Sequence, residues 1–379
     1  MQPETDAAPI NGKRIARAHT HKARIKKRIG LSTSLAALLV LCGAWAAQEP
    51  SGPGRADSTP VSIAAKPVPL DANDPARSRI GELAYLGGLE LSSAADSFGG
   101  YSGLRFLPDG RMLAISDRGH WLAFRLVEQK GRLTGLADAV SGALLDETGQ
   151  PMRYPHFDAE ALEVVSSPEE GLQILVGFEQ RHRIWRYALP ETVPQQVGGA
   201  GRALQAVFDQ RPHALPWLED WKAGLGANAG LEAMAVRPDG AALLLAEGTG
   251  EGRYRLHAEA PWVPIRYTAE PGFKPTDAAF LPIKGRHLAL VINRYFSILH
   301  GVAARLELVD LAAVKDGKLE GKLLARLAPP VSVDNMEAVE AVPHPDGGWS
   351  LYLMADDNQN PLQRTLLLKF HLPASAVSR

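Results

Sequence analysis

The chain has 379 residues, 45% of them hydrophobic and 22% charged, with a formal net charge of −1, an ordinary globular composition. Its length accommodates two or three average domains or one large all-β domain. Residues 1–46 hold eight basic and two acidic side chains, so the remainder carries about −7, which argues against nucleic acid or an anionic membrane as the main partner.

In chain order, Lys13, Arg14, Arg17, Lys22, Arg24, Lys26, Lys27 and Arg28 form a basic stretch ahead of the apolar run "IGLSTSLAALLVLCGAWAA" (29–47). Ala44-Trp45-Ala46 fits a small-x-small cleavage site, so residues 1–46 read as a secretory signal peptide and the mature protein as periplasmic or secreted. The run approaches the ~20 residues that a membrane span needs. Ser32, Thr33 and Ser34 shorten its apolar part to Leu35–Ala47, which favours cleavage over an anchor. Cys42, the only cysteine, leaves with the signal; the exported chain then has no disulfide, thiolate metal site or cysteine nucleophile. Residues 47–78 are rich in Pro, Ser, Ala and Asp without periodicity and read as a disordered linker.

From Ile80 to about residue 373 short runs of Val, Ile, Leu and aromatic residues alternate with Gly, Pro and Asp turn signals, an all-β texture. The best helical candidate is the short "PWLEDWKAGLG" (216–226). "SGLRFLPDGRMLAISD" (102–117) aligns without a gap to "EAMAVRPDGAALLLAE" (232–247), and looser copies begin at Glu160, Asp277 and Glu337. Strand–turn–strand units of this kind mark propeller blades. Asp-Gly between the runs is a hairpin signal, since both positions can take positive φ. About 290 residues at roughly 48 per blade predict a six-bladed β-propeller, with five or seven as the margin. The strand near Ile80 is expected to complete a C-terminal blade beside "TLLLKFHL" (365–372).

The first strand of each blade lines the central channel, which places Ser102, Glu160, Glu232, Asp277 and Glu337 at its rim. Antiparallel return brings the second-strand ends, Asp117, Glu179, Glu247, Arg294 and Asp356, to the same mouth. Ser102 thus occupies a rim slot; Gly100-Tyr101-Ser102-Gly103-Leu104 lacks the second glycine and the following helix of a nucleophile elbow. Converging carboxylates repel, so a positive group must share the mouth: a hard cation or the arginines Arg118, Arg181 and Arg294. Calcium takes six to eight oxygens. The expected ligands are Asp117, Asp277, Asn335, Asp356, Asp357 and Asn358, and no organic cofactor is expected. Glu160, Glu232 and Glu337 are the expected catalytic carboxyls, with Arg118 and Arg294 clamping a phosphate. Pairing of each carboxylate with an arginine, or capping of a strand end, is the plainer alternative for any single residue. His120, His156 and His182 lie near repeat ends and suit packing or surface roles better than acid–base ones.

The ordered set "YSGLRF…SDRG", "FDAEALEV", "NAGLEAMAVRPDG…LLAE", "PTDAAFL…INR", "DNMEAVEAV" and "LYLMADDNQN" resembles the family called esterase-like activity of phytase, from about Phe98 to Leu372. Ala161, Ala233 and Ala338 stand where that family usually has glycine, and Asn293 precedes Arg294 where it often has glutamate. The resemblance implies a propeller and hydrolysis of phosphoric or carboxylic esters. Histidine-phosphatase, phosphate-loop and His-Glu-x-x-His signatures are absent. Two functions stay open: a metal-assisted hydrolase of small phosphate or other esters (a sugar-lactonase-like propeller being a chemical variant), and a non-catalytic envelope propeller that binds a ligand or partner through the rim.

Overall fold

In the computed structural model, which describes residues 58–378 apart from 154–155, 168–169, 189–199, 222–223, 227–228, 298 and 361, the alternating runs form antiparallel hairpins. The signal peptide expected in residues 1–46, and the linker up to residue 57, lie outside the described residues. The strands group into five sheets of four or more strands. Their inner strands are Tyr101–Phe106, Ala159–Ser167, Leu231–Val236, Lys274–Phe280 and Asn335–Pro343, which we number blades 1 to 5. Each inner strand packs against the next, and blade 5 returns to blade 1, closing a ring. The protein is an all-β propeller, as the repeats predict.

Inner strands are covered on both faces, which is why they read as near-continuous apolar runs. Every residue of the inner strand Leu231–Val236 is buried, as is every residue of the second strand of blade 5, Trp349–Asp356. Outer strands alternate instead: in Val263–Thr268 only Ile265 and Tyr267 are buried. The core therefore lies between blades. Ala233, Leu243 and Leu245 of blade 3, for example, pack on Ala278, Ala289 and Val291 of blade 4.

The blade count is five, not six. Leu83–Ser92 does pair with Thr365–Leu372 and completes blade 5, as expected, but no sixth sheet forms among the described residues. The missing length is absorbed by long outer hairpins, such as His120–Gln129 with Arg132–Ala143, and by the helix Ala200–Phe208 inserted in blade 2. That helix inserts Leu204, Val207 and Phe208 beside Trp121, whose ring stacks on Phe208 at 5.3 Å. The expected helix at 216–226 forms no α-helix among the described residues; Pro216–Leu218 is a 3-10 turn.

Part of the expected linker is also sheet. Thr59–Pro60 pairs with Ser141 and Val140, and Ala64–Pro67 pairs with Leu89–Ser92. Proline is tolerated there because these are edge strands, and the buried side chains of Val61 and Leu70 anchor them. The Pro-Asp-Gly hairpins turn differently from expectation. Gly110 N–H donates to Leu107 O at 2.9 Å and only Gly110, at φ 80°, is left-handed. This is a type I turn followed by a glycine bulge.

One charged side chain ties the ring together. Arg105, 2% exposed, extends from blade 1 across the channel. Its guanidinium faces both oxygens of Asp277 in blade 4 at 2.8 and 2.9 Å, and its Nε faces Glu163 of blade 2 at 3.3 Å. It also donates to Leu104 O, Met234 O of blade 3, Ala278 O and Val339 O of blade 5 at 2.6–3.0 Å. The Asp277 carboxylate in turn accepts from the Val339 and Ala278 N–H groups. All five blades therefore meet on this pair, which closes the channel below the mouth. Arg105→Ala leaves the buried Asp277 and Glu163 with backbone N–H donors but no cation, and should cost about 3–5 kcal/mol in urea unfolding. The double variant Arg105→Met with Asp277→Leu should recover part of that loss; a single-variant loss below about 1 kcal/mol would contradict the role.

Candidate functional site

Every inner strand carries a β-bulge near its start. The pairing skips Ser102, Glu160, Glu232, Thr276 and Glu337 in blades 1 to 5. An extra residue bends the strand and re-aims its side chain. The equivalent rim positions thus hold three glutamates and two hydroxyls. Asp277, expected at this level, sits one residue further on, at the position of Gly103, Ala161, Ala233 and Ala338, where it serves Arg105. Thr276 takes the rim slot and donates to Met336 O at 2.9 Å.

Around Glu160, Glu232 and Glu337 stand Asp117, Asp158, Glu179, Glu247 and Asp356. Glu232, Glu247, Glu337, Glu179 and Asp356 are less than 10% exposed. The ring is neutralised on one side only. Arg294 Nη2 meets Glu247 at 2.6 Å, Nη1 donates to Asn335 Oδ1 at 3.0 Å, and Nε lies 3.4 Å from Glu337. Asn335 Nδ2 bonds Glu337, and Lys274 Nζ reaches Glu247 at 3.0 Å. Burial would lower the Arg294 pKa, but Glu337, Glu247 and Glu232 raise it, so the guanidinium is charged throughout the working range.

The other side has no such partner. Among the described residues, Asp117, Asp158, Glu160, Glu179, Glu232 and Asp356 are in no ion pair. Asp356 accepts from Tyr101 N and Asn358 N, and Glu179 accepts from Gly230 N. Burial, then the neighbouring carboxylates, drive Glu160 and Glu232 well above the ordinary range. Burial pushes Asp117 to about 7, with Asp356 and Asp158 adding to it. Burial likewise takes Glu337 to about 8 although Arg294 opposes it, and Asp356 to about 6. Gly100, at φ +71°, lets Asp117 approach; a Cβ there would fall 2.1 Å from its Oδ1.

Asp158, Glu160 and Glu179 each offer a carboxylate oxygen, all within 4.8 Å of one another. Oxygens about 2.3–2.6 Å from one calcium ion can be no further apart than about 5 Å, so this donor set fits a hard cation. Of the residues expected at the site, Glu160, Glu232, Glu337, Arg294, Asp117, Asn335 and Asp356 converge on the mouth. Arg118, Asp357 and Asn358 do not join the ring. Arg118 donates to Asp96 O at 2.9 Å; Asp357 accepts from Gln359 N and Thr365 Oγ1; Asn358 is exposed and bonds Gln363. Asp158 was missed. Its signal was its place in "FDAE", an acidic residue two positions before Glu160 and directly ahead of the strand Ala159–Ser167.

A sequence profile of the family described as esterase-like activity of phytase matches residues 96–359. No curated protein matches the chain. Similar solved structures include the Dos1 propeller, at 8% identity and TM-score 0.34 over 77% of this chain and 75% of that one. Virginiamycin B lyase from Staphylococcus aureus gives 8% and 0.36 over 82% and 100%. PQQ-bound aldose sugar dehydrogenase from Streptomyces coelicolor gives 13% and 0.37 over 75% and 97%.

The raised carboxyls make stability fall as pH rises. The folded state keeps protons that the unfolded chain releases near pH 4. Their contribution is complete below that value and is lost as pH climbs through about 6 to 8, the range of Asp356, Asp117 and Glu337. In chelator, Tm should drop between pH 5 and 8, and Glu337→Gln should flatten the drop. A Tm that rises across that interval would refute the assignment.

Proposed function

The chain belongs to the phytase-like family, and from that premise we propose that the mouth binds a divalent cation, calcium fitting its oxygen donors, and hydrolyses small phosphate or other esters. The observation that carries this reading is the one-sided neutralisation of the ring: Arg294 serves Glu247 and Glu337, while Asp158, Glu160 and Glu179 converge without a cation. Those three would hold the ion, with Asp117 and Asp356 next to them. When bound, it supplies a Lewis acid for a phosphoryl or acyl oxygen and lowers the pKa of a bound water.

The chain's own groups do the rest. The Nε–H of Arg294 is buried facing Glu337 at 3.4 Å, so this guanidinium holds Glu337 and Glu247 in place. Glu337 touches Arg294 and, with its pKa raised to about 8, carries a proton at neutral pH for a leaving-group oxygen. Ser102 lies on a strand bulge, with no hydrogen-bonded base among the described residues, which supports water as the nucleophile over an acyl-serine route. Because Arg105 plugs the channel, substrate enters and product leaves by the same mouth. The sequence of residues 1–46 supports export to the periplasm or medium, and no helix among the described residues is long and apolar enough to cross a membrane.

The same lack of a nucleophile–base pair favours, as a second reading, a propeller that binds ligand through the mouth without turnover. Hydrolysis of p-nitrophenyl phosphate and p-nitrophenyl acetate with calcium and with chelator separates the two. The hydrolase reading expects calcium-dependent rates that fall at least about tenfold in Glu160→Gln with Glu179→Gln. Equal background rates in both conditions, alongside calcium-dependent thermal stabilisation, would leave only the binding reading.

A further inference from the structure

Blade 2 carries a second concavity outside the carboxylate ring. It has a volume of about 580 Å³, within the range of small-ligand pockets. Met152, Trp185, Leu215 and Leu218 supply an apolar wall, and Arg153 and Arg181 stand on its lining. The pocket adjoins the ring through two short stretches of chain. Arg153 lies five residues before Asp158, and Arg181 two residues after Glu179. His182, also on the lining, crowds the same glycine as Glu179: a Cβ on Gly230 would meet His182 Nδ1 at 2.6 Å and Glu179 Oε1 at 3.0 Å.

The charges of this lining are not all spent. Arg183 is engaged, lying over the Phe178 and Trp185 rings at 4.0 and 4.2 Å and donating to His156 O and Arg181 O. Asp146 is consumed by its own turn, accepting from Thr148 N, Thr148 Oγ1 and Gln150 N. The side chains of Arg153 and Arg181, both exposed, make no ion pair or hydrogen bond among the described residues. Glu147 and Glu219 are exposed. Two free guanidiniums beside a tryptophan and two leucines suit an organic anion with an apolar body. An anion is repelled by the ring itself, so a cationic holding point outside it is what would keep such a molecule in place.

We propose that this pocket is a subsite for organic anions with an apolar, ring-sized body, held by Arg153 and Arg181. It rests on the reading of the mouth as an ester-hydrolysing site only in naming which esters are favoured: those whose alcohol or acyl part is apolar and carries a second negative group.

A probe that cannot be hydrolysed separates the subsite from the chemistry. Calorimetric titration with 2-naphthalenesulfonate, in chelator, reads the pocket alone. Wild type should bind it, and Arg153→Gln with Arg181→Gln should weaken binding at least about tenfold. Glu147→Gln with Glu219→Gln should tighten it, and Arg118→Gln, outside the pocket, should leave it unchanged. Neutral 2-naphthol should bind wild type and the arginine variant alike. No sulfonate binding at millimolar concentration, or equal binding by wild type and the arginine variant, would overturn the subsite. Either result is independent of whether any ester is turned over, so an inactive mouth with intact sulfonate binding would refute the hydrolase reading and keep this one.

Discussion

Arg105 of blade 1 and Asp277 of blade 4 meet in the middle of the ring, at 2.8 and 2.9 Å, where every blade contributes a group. A guanidinium buried at 2% exposure would be costly alone, but carboxylates and four backbone carbonyls surround it. Those groups come from all five blades, so the arginine is satisfied only when the ring is closed in one register. The pair therefore selects the closed arrangement as well as stabilising it. By filling the channel it also makes the propeller a cup with one opening, and every chemical argument then concerns that opening.

At the rim, five bulges do what regular strand geometry cannot. A strictly alternating strand would direct the residue before Ala161 or Ala338 into a blade interface; the extra residue turns it toward the axis. Glutamates brought together in this way are at odds with one another, and the fold resolves the conflict on one flank with Arg294, Asn335 and Lys274. On the opposite flank burial and mutual repulsion hold the Glu160, Glu179 and Glu232 carboxyls above the ordinary range, with no side-chain cation beside them among the described residues. Such an arrangement is costly for a merely structural feature, which is the physical reason to read it as a site.

Much of this is legible in the sequence. Pro-Asp-Gly turns between apolar runs announced a propeller, and the gapless match of residues 102–117 to 232–247 put Glu232 in register with Ser102. That alignment failed by one residue in blade 4, because "TDAAF" offers an acidic residue beside the true rim position and a bulge leaves no trace in composition. Arg105 was visible as a basic residue inside the otherwise uncharged first strand "YSGLRF", but its reach across the axis depends on closure, which no local pattern encodes. The blade count erred because residues 59–67 and 83–92 extend existing sheets. Asp357 and Asn358 were misplaced because a turn directs them away from the axis after Asp356 has reached it.

The proposed cation site rests on the flank of the mouth where Asp158, Glu160 and Glu179 converge without a cationic side chain. Calcium titration of the purified chain by calorimetry at pH 7.5, repeated with Glu160→Gln and with Asp357→Asn, addresses it most directly. A single saturable site is expected, with proton release as the carboxyls ionise, abolished in Glu160→Gln and retained in Asp357→Asn. Absence of calcium binding, or binding that survives Glu160→Gln undiminished, would contradict it.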